Sequence, residues 1–531
     1  MDNSGWNRPA FGILHPLTAI LVLMAGLTLA LWGLGLEERP MHNDEAVNAI
    51  KFGQLWEGGG YKYDPNEHHG PSLHYATFAL SYLTGAPKDF DQFTVARLRF
   101  TTVLFGAGLI LLLLLVADGL GRNATLWAGL LTAVSPAMVF YSRFYIHEAL
   151  LVCFTFLTIA AGWRYSRSRK LGWALLAGAG VGLMHATKET FVISLAAGAA
   201  ALVLNGLWNR WLDASPAAPR PRGVNLGHAA AAVGVWLVVA VTLFSSFFTH
   251  LAGVVDSVKT YEPWVSRAGG ASPHIHPWSF YLHRLLFFHA DQGPVWSEAL
   301  ILVLAALGAR AAFVRQGLAD ANASFVRFLA LYTAGLTAAY SLIPYKTPWC
   351  LLGFWHGMIL LAGVGAAWLV GRAKRRLGRV AVGLVLLVGA GHLAWQSVLA
   401  NGPYAADWRN PYVYAQTSPD LLRLVRQVEA LARAHPQGRQ MLVKVMAPDS
   451  DYWPLPWYLR NLRQVGWWDQ VPADPYAPVM IVSAKLEGSL DERKTHVMVG
   501  YFQLRPRVFL ALYVELGLWR DYLAKNPPKP D

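Results

Sequence analysis

Residues 13–75 read ILHPLTAILVLMAGLTLALWGLGL and then EERPMHNDEAVNAIKFGQLWEGGGYKYDPNEHHGPSLHY, and the contrast between the two halves decides the fold. Residues 13–36 are almost wholly apolar and long enough to cross a hydrocarbon core of roughly 30 Å at about 1.5 Å per helical residue. The run is too long for a signal-peptide core and carries no small-x-small cleavage site in a polar context, so it reads as a retained signal anchor. Residues 37–75 then place acids, histidines and aromatics directly at a bilayer surface.

The rest of the chain repeats the apolar theme. Of its 531 residues 54% are hydrophobic and only 15% charged, against about 25% charged in ordinary soluble domains. Further membrane-length runs lie near 98–117, 125–141, 148–163, 171–187, 191–208, 229–248, 295–313, 325–343, 349–370 and 380–399. The expected fold is therefore an α-helical polytopic membrane protein of about eleven transmembrane helices over residues 1–400, with outer loops at 37–97 and 251–294. After Asn401 the pattern changes: 419–435 has helical apolar spacing, while 441–446 and 479–483 are short apolar runs suited to buried strands. Residues 401–531 are accordingly expected to form a small C-terminal α/β domain outside the membrane.

Basic residues fix the orientation. Arg122, the cluster Arg164, Arg167, Arg169 and Lys170, then Arg210, Arg220 and Arg222, Arg310, Arg315 and Arg327, and Arg372–Arg379 fall on alternate sides of successive runs. Short cytoplasmic loops carry such an excess, so the expected location is the cytoplasmic (inner) membrane, with 37–97, 143–148, 251–294, 344–348 and everything after 401 on the periplasmic or extracellular side. The net charge of +13 is spent on these loops instead of forming one basic stripe, which argues against a nucleic-acid partner. Cys153 and Cys350 sit in or beside apolar runs and suggest neither a disulfide nor a metal framework.

The outer loops hold the candidate chemistry. Asn43 followed by Asp44, Glu45 and an apolar pattern has the form of a helix start, with Asn43 as cap and the acids complementing the helix dipole. His68 and His69, with Tyr75 beyond Gly70 and Pro71, suit contacts to phosphate or sugar hydroxyls. Residues 141–148, YSRFYIHE, bring Arg143, His147 and Glu148 to one outer turn; 186–190, ATKET, bring Lys188 and Glu189; His276 and Lys346 lie in two more. Ionisable groups near membrane depth are functional candidates.

HNDEA at 42–46, YDPNEHHGPSLHY at 63–75, SRFYIHEALL at 142–151 and ATKE at 186–189 together resemble the motifs of flippase-activity-associated proteins, a branch of the GT-C, protein-mannosyltransferase-like membrane glycosyltransferases. The lysine-proline-proline element that some relatives carry after the first outer helix is His69–Gly70–Pro71 here. The resemblance implies a polyprenyl-phosphate sugar donor, a glycan, lipid or protein acceptor, and an inverting transfer at the outer face. By it, Asp44 matches the catalytic base, with Glu45 beside it and Glu148 matching a second-loop acid. Arg143, Lys188 and Lys346 would then neutralise the lipid phosphate. A divalent metal is optional in the superfamily, and Mg²⁺ or Mn²⁺ would draw on Asp44, Glu45 and Glu148. A noncatalytic glycan-lipid accessory protein and a lipid transporter are the competing readings, and the transporter is disfavoured because the polar clusters lie in outer loops instead of at the bilayer midplane.

The alternation of basic loops generates a direct test. Cysteines at Gly59 and Gly488 should be labelled by an impermeant reagent in intact cells, and one at Arg375 only after permeabilisation; labelling at 488 from the cytoplasm alone overturns the topology.

Overall fold

The computed structural model of the protein describes residues 16–66, 69–211, 225–269, 272, 274–318, 320–489 and 495–526. Among these, seven helices are long and apolar enough to cross a membrane: Val95–Leu115, Glu148–Ser168, Phe191–Trp211, Leu226–Phe244, Ala323–Leu342, Pro348–Arg372 and Arg376–Asn401. Three expected runs form shorter apolar helices, Pro16–Trp32, Leu171–His185 and Ala299–Val314. The run near 125–141 is a broken pair instead of one straight helix: Arg122–Val134 and Pro136–Ser142 meet at 59°. The expected eleven spans thus become seven, or eight with the bent pair, by length and composition.

The break has a local cause. Pro136 cannot continue the preceding helix but suits the first position of the next, and Ser135 adopts extended backbone and caps it by accepting from Met138 N. Glu298, fully buried, accepts from Ser135 Oγ at 2.5 Å and from Ala137 N at 3.0 Å, while Trp355 Nε1 donates to Ser135 Oγ at 2.9 Å. A buried carboxylate therefore serves the N–H groups that the break orphans. Arg327, which the sequence groups with the cytoplasmic loops, lies fully buried within the Ala323–Leu342 helix, its guanidinium donating to Asn209 Oδ1 and Ala312 O.

The chain divides into two compact units. The helical unit comprises the described residues up to Leu36 together with Tyr61–Thr77 and Arg99–Asn401. Close helix approach inside it rests on glycine: a Cβ on Gly308 would run into the Leu361 carbonyl, and one on Gly365 into the Leu304 carbonyl. Small residues at such crossings replace the hydrophobic drive that lipid does not supply.

The second unit joins Gly402–Asp531 to two segments that the sequence assigned to outer loops, Glu37–Gly60 and Phe78–Leu98. Its sheet contains β1 (Leu442–Met446), β2 (Gln464–Trp468), β3 (Val479–Ser483), β4 (His496–Arg505) and β5 (Val508–Glu515), ordered β2-β1-β3-β5-β4. β1 pairs in parallel with β2 and β3, and β5 pairs antiparallel with β3 and β4. The Asp420–Ala434 helix buries Leu421, Leu424, Val425, Val428 and Leu431 against the sheet. The loop segments are fastened on by Tyr458 OH accepting from Met41 N at 2.8 Å, Thr417 Oγ1 donating to Met41 O at 2.6 Å, and Arg460 donating to Phe93 O at 2.6 Å.

Overpacking a tight crossing typically costs about 1–3 kcal/mol. Gly365→Ala should therefore lower the thermal midpoint in detergent clearly more than Gly371→Ala, a site on the same helix with open space around it; equal midpoints would refute the close-approach argument.

Candidate functional site

The candidate residues fall into two clusters, one in each unit. In the second unit, the helix Asn43–Trp56 is capped by His42, one residue before the Asn43 cap that the sequence suggests. His42 Nδ1 accepts from Asp44 N at 3.1 Å, and Glu45 Oε2 accepts from His42 N at 2.9 Å, forming a reciprocal capping box. With Nδ1 used as an acceptor, Nε2 carries the proton and donates to Tyr414 O at 3.1 Å. Glu45 is fully buried with Arg39 Nη2 at 3.9 Å, whereas the Asp44 side chain is 46% exposed, 3.7 Å from His42 Nδ1. Adjacent acids thus have different roles: Glu45 is committed to the helix start, and Asp44 is available to a ligand.

In the helical unit, the segment at 69–72 is fastened to the 186–190 turn. Gly70 N donates to Thr187 O at 3.0 Å, Ser72 N to Ala186 O at 2.8 Å, and the Ser72 and Thr187 hydroxyls share a bond of 2.7 Å. Gly70 is required there, since a Cβ would collide with the Ala186 carbonyl. His69 Nδ1 donates to Glu189 Oε2 at 2.9 Å. Burial works to raise the Glu189 carboxyl, but the facing His69 and then Lys188 outweigh it and hold the pKa at about 2. Lys188 Nζ pairs with Glu148 Oε1, both side chains 6% exposed. Burial opposes the ammonium, yet Glu148 keeps its pKa well above the ordinary lysine range. A cavity of about 20 Å³, room for one water, lies beside this pair among Thr155, Thr190, Ser194 and Tyr340.

His147 Nε2 donates to Gly70 O at 3.0 Å, and the ring lies 5.3 Å from His69 and 5.9 Å from His74. Burial, then the charges of His69, His74 and Lys188, push its pKa well below the usual imidazole value. The ring is therefore neutral, with a buried Nδ1 that has no protein hydrogen-bond partner among the described residues. Tyr75 stacks edge-on against Phe247 at 5.1 Å, and burial raises its phenol. Arg143 donates to Gly35 O at 3.1 Å. Lys346 donates to the Ile343 and His276 carbonyls, and the His276 ring stacks on Phe280 at 4.2 Å. His68 lies outside the described residues.

Five of the candidates, His69, His147, Glu148, Lys188 and Glu189, are thereby brought together, while His276 and Lys346 link two loops remote in sequence. Sequence reasoning missed His42 and Glu298. His42 was legible as the first half of a box ending in Glu45 three residues on; Glu298 has only tertiary partners. The carboxylates named for a metal do not fit one: Glu45 is committed to the capping box and faces Arg39, and Glu148 is neutralised by Lys188, so neither offers an open oxygen-ligand set.

Residues 79–218 match the family model of dolichyl-phosphate-mannose-protein mannosyltransferase. No curated protein is significantly similar in sequence. Among solved structures, ArnT from Cupriavidus metallidurans bound to undecaprenyl phosphate is 16% identical with a TM-score of 0.58, covering 93% of this chain and 98% of that one. Its apo state gives 15% identity, the same coverage and a TM-score of 0.58. The arabinofuranosyltransferase AftD from mycobacteria is 15% identical with a TM-score of 0.45, covering 94% of this chain and 40% of that one.

Removing one partner of a buried ion pair leaves an uncompensated charge and costs about 3–5 kcal/mol, whereas removing both charges costs far less. Lys188→Met should destabilise the protein strongly, and Glu148→Gln in the same chain should restore much of the loss; additive losses in thermal unfolding would show that the pair is not coupled.

With the helical unit and the small sheet unit in place, the chain has the fold of the GT-C, protein-mannosyltransferase-like membrane glycosyltransferases.

Proposed function

We propose that the protein transfers a sugar from a polyprenyl-phosphate donor to an acceptor hydroxyl of a glycan, lipid or protein, with inversion at the anomeric carbon, at the outer face of the inner membrane. The observation that carries this reading is the division of labour between adjacent acids: Glu45 closes the capping box, and Asp44 stands half-exposed at a helix N-terminus. The positive end of that helix favours the ionised carboxylate a general base needs. The ArnT structure with undecaprenyl phosphate supports the donor class on the fold level.

In the reaction, the acceptor oxygen attacks the anomeric carbon as its proton passes to an Asp44 oxygen. The bond from that carbon to the phosphate oxygen breaks, and its electron pair leaves with the lipid phosphate. No covalent enzyme intermediate forms, and inversion follows from the single displacement. The leaving group gains charge, which fixed cations stabilise. Lys188 gives one of its donors to Glu148, and Lys346 gives donors to two carbonyls, so each ammonium retains capacity for a phosphate oxygen. Arg143 adds a planar fork suited to phosphate. Glu189, His69, Tyr75 and His276 are assigned to donor binding, and neutral His147 can accept a hydrogen bond from a sugar hydroxyl at Nδ1.

Asp44→Asn preserves shape, so folding should be unchanged while transfer from labelled polyprenyl-phosphate sugars falls by about 10²–10⁴-fold. Glu45→Gln should mainly lower thermal stability, with a smaller loss of kcat. Full transfer by a folded Asp44→Asn protein removes Asp44 from the chemistry, and a wild type inert towards every lipid-linked donor points to the accessory reading.

A further inference from the structure

The second unit carries a groove far in sequence from the proposed base. It has a volume of about 520 Å³ and is lined by Arg423, Arg426 and Gln427 of the Asp420–Ala434 helix, by Tyr501 and Phe502 of β4, and by Tyr522 of the Leu516–Lys525 helix. That size falls within the range of sites that take small ligands.

The sequence builds it in an orderly way. Arg423, Arg426 and Gln427 share one face of a helix at spacings of three and four, opposite the leucine face that packs on the sheet. β4 is an edge strand, and its register slips between Met498 and Gly500, so that Val499 is an inserted residue. A bulge of this kind twists an edge and re-aims its side chains. Tyr501 lies beyond it, about half exposed, its ring stacked on Phe509 at 5.4 Å and 11°. Tyr522 stacks on Trp519 at 5.2 Å and 18°. Both aromatics are thus held by a second ring and present rigid surfaces.

The charge is equally directed. Asp420 accepts from Arg423 Nη1 at 2.8 Å and from the backbone of Gln503 at 2.8 Å, which ties the carboxylate to β4 and holds Arg423 beside Phe502. Arg426 is exposed and makes no ion pair among the described residues. Two guanidiniums against one tethered carboxylate leave the groove positive.

From this combination we infer that the groove is a binding site for an acidic saccharide. Guanidinium forks match carboxylate or phosphate oxygens, and the tyrosines offer flat faces for the apolar side of a sugar ring with hydroxyls at their rims. The choice of a saccharide over other anions rests on the glycosyltransferase reading, in which a glycan is a natural acceptor; the groove holds such a chain outside the reacting centre.

Titration calorimetry on the full-length protein in detergent tests it, with oligogalacturonate as the acidic probe, a malto-oligosaccharide of equal length as the neutral one, and inorganic phosphate as the bare anion. Oligogalacturonate should bind saturably and at least about tenfold more tightly than either control, and Arg423→Gln with Arg426→Gln should weaken it by roughly tenfold or more without changing the thermal midpoint. Tyr501→Ala should weaken oligogalacturonate while leaving the phosphate response unchanged. No binding by the wild type, equal affinity for the neutral oligosaccharide or for phosphate, or unchanged affinity in the double arginine variant overturns the proposal. Binding is read without turnover, so failure here leaves Asp44 in place, and failure of the Asp44 assignment leaves the groove in place.

Discussion

The Glu148–Lys188 pair is the constraint on which one end of the helical unit depends. Each charge sits where water is scarce, and an isolated carboxylate or ammonium there would be costly. Together they join the head of the Glu148–Ser168 helix to the turn before Phe191. Once that turn is fixed, its carbonyls at Ala186 and Thr187 receive the Gly70 and Ser72 amides, and Glu189 receives His69. Three segments far apart in sequence are thus held in one place by a pair that tolerates no partial assembly.

Around that pair the titratable groups are sorted by environment. Glu189 stays ionised far into acid because His69 and Lys188 outweigh its burial; its contribution to stability is present above the ordinary carboxylate range and is lost only as pH falls through about 2. His147 goes the other way. Burial and neighbouring cations keep it neutral, so protonation opposes the folded state and its contribution fades as pH drops below the usual imidazole range. At neutral pH the cluster therefore mixes fixed charges with one neutral imidazole able to donate at one nitrogen and accept at the other.

The break at Ser135 shows the same economy in a different setting. A helix interrupted at membrane depth frees backbone groups that lipid cannot satisfy. Glu298 and Trp355, from helices remote in sequence, converge on Ser135 and complete its hydrogen bonding. The bend is held by side chains converging from elsewhere in the helical unit, as the 186–190 turn is held by Gly70, Ser72 and His69.

The apolar periodicity determined the helical runs, the basic loops gave an expected orientation, and the apolar stretches at 442–446 and 479–483 became strands. These follow from the sequence alone because transfer out of water is set by local composition. Motif order pointed to the superfamily, and the acids of 42–46 were legible as a helix start. The identity of the cap, the pairing of Lys188 with Glu148, the capture of His69 by Glu189 and the assembly of 37–60 and 78–98 with the sheet unit were decided only in three dimensions. Each joins residues with no local relation, and whether a carboxylate is a cap, a counter-ion or a free base depends on what the fold places beside it.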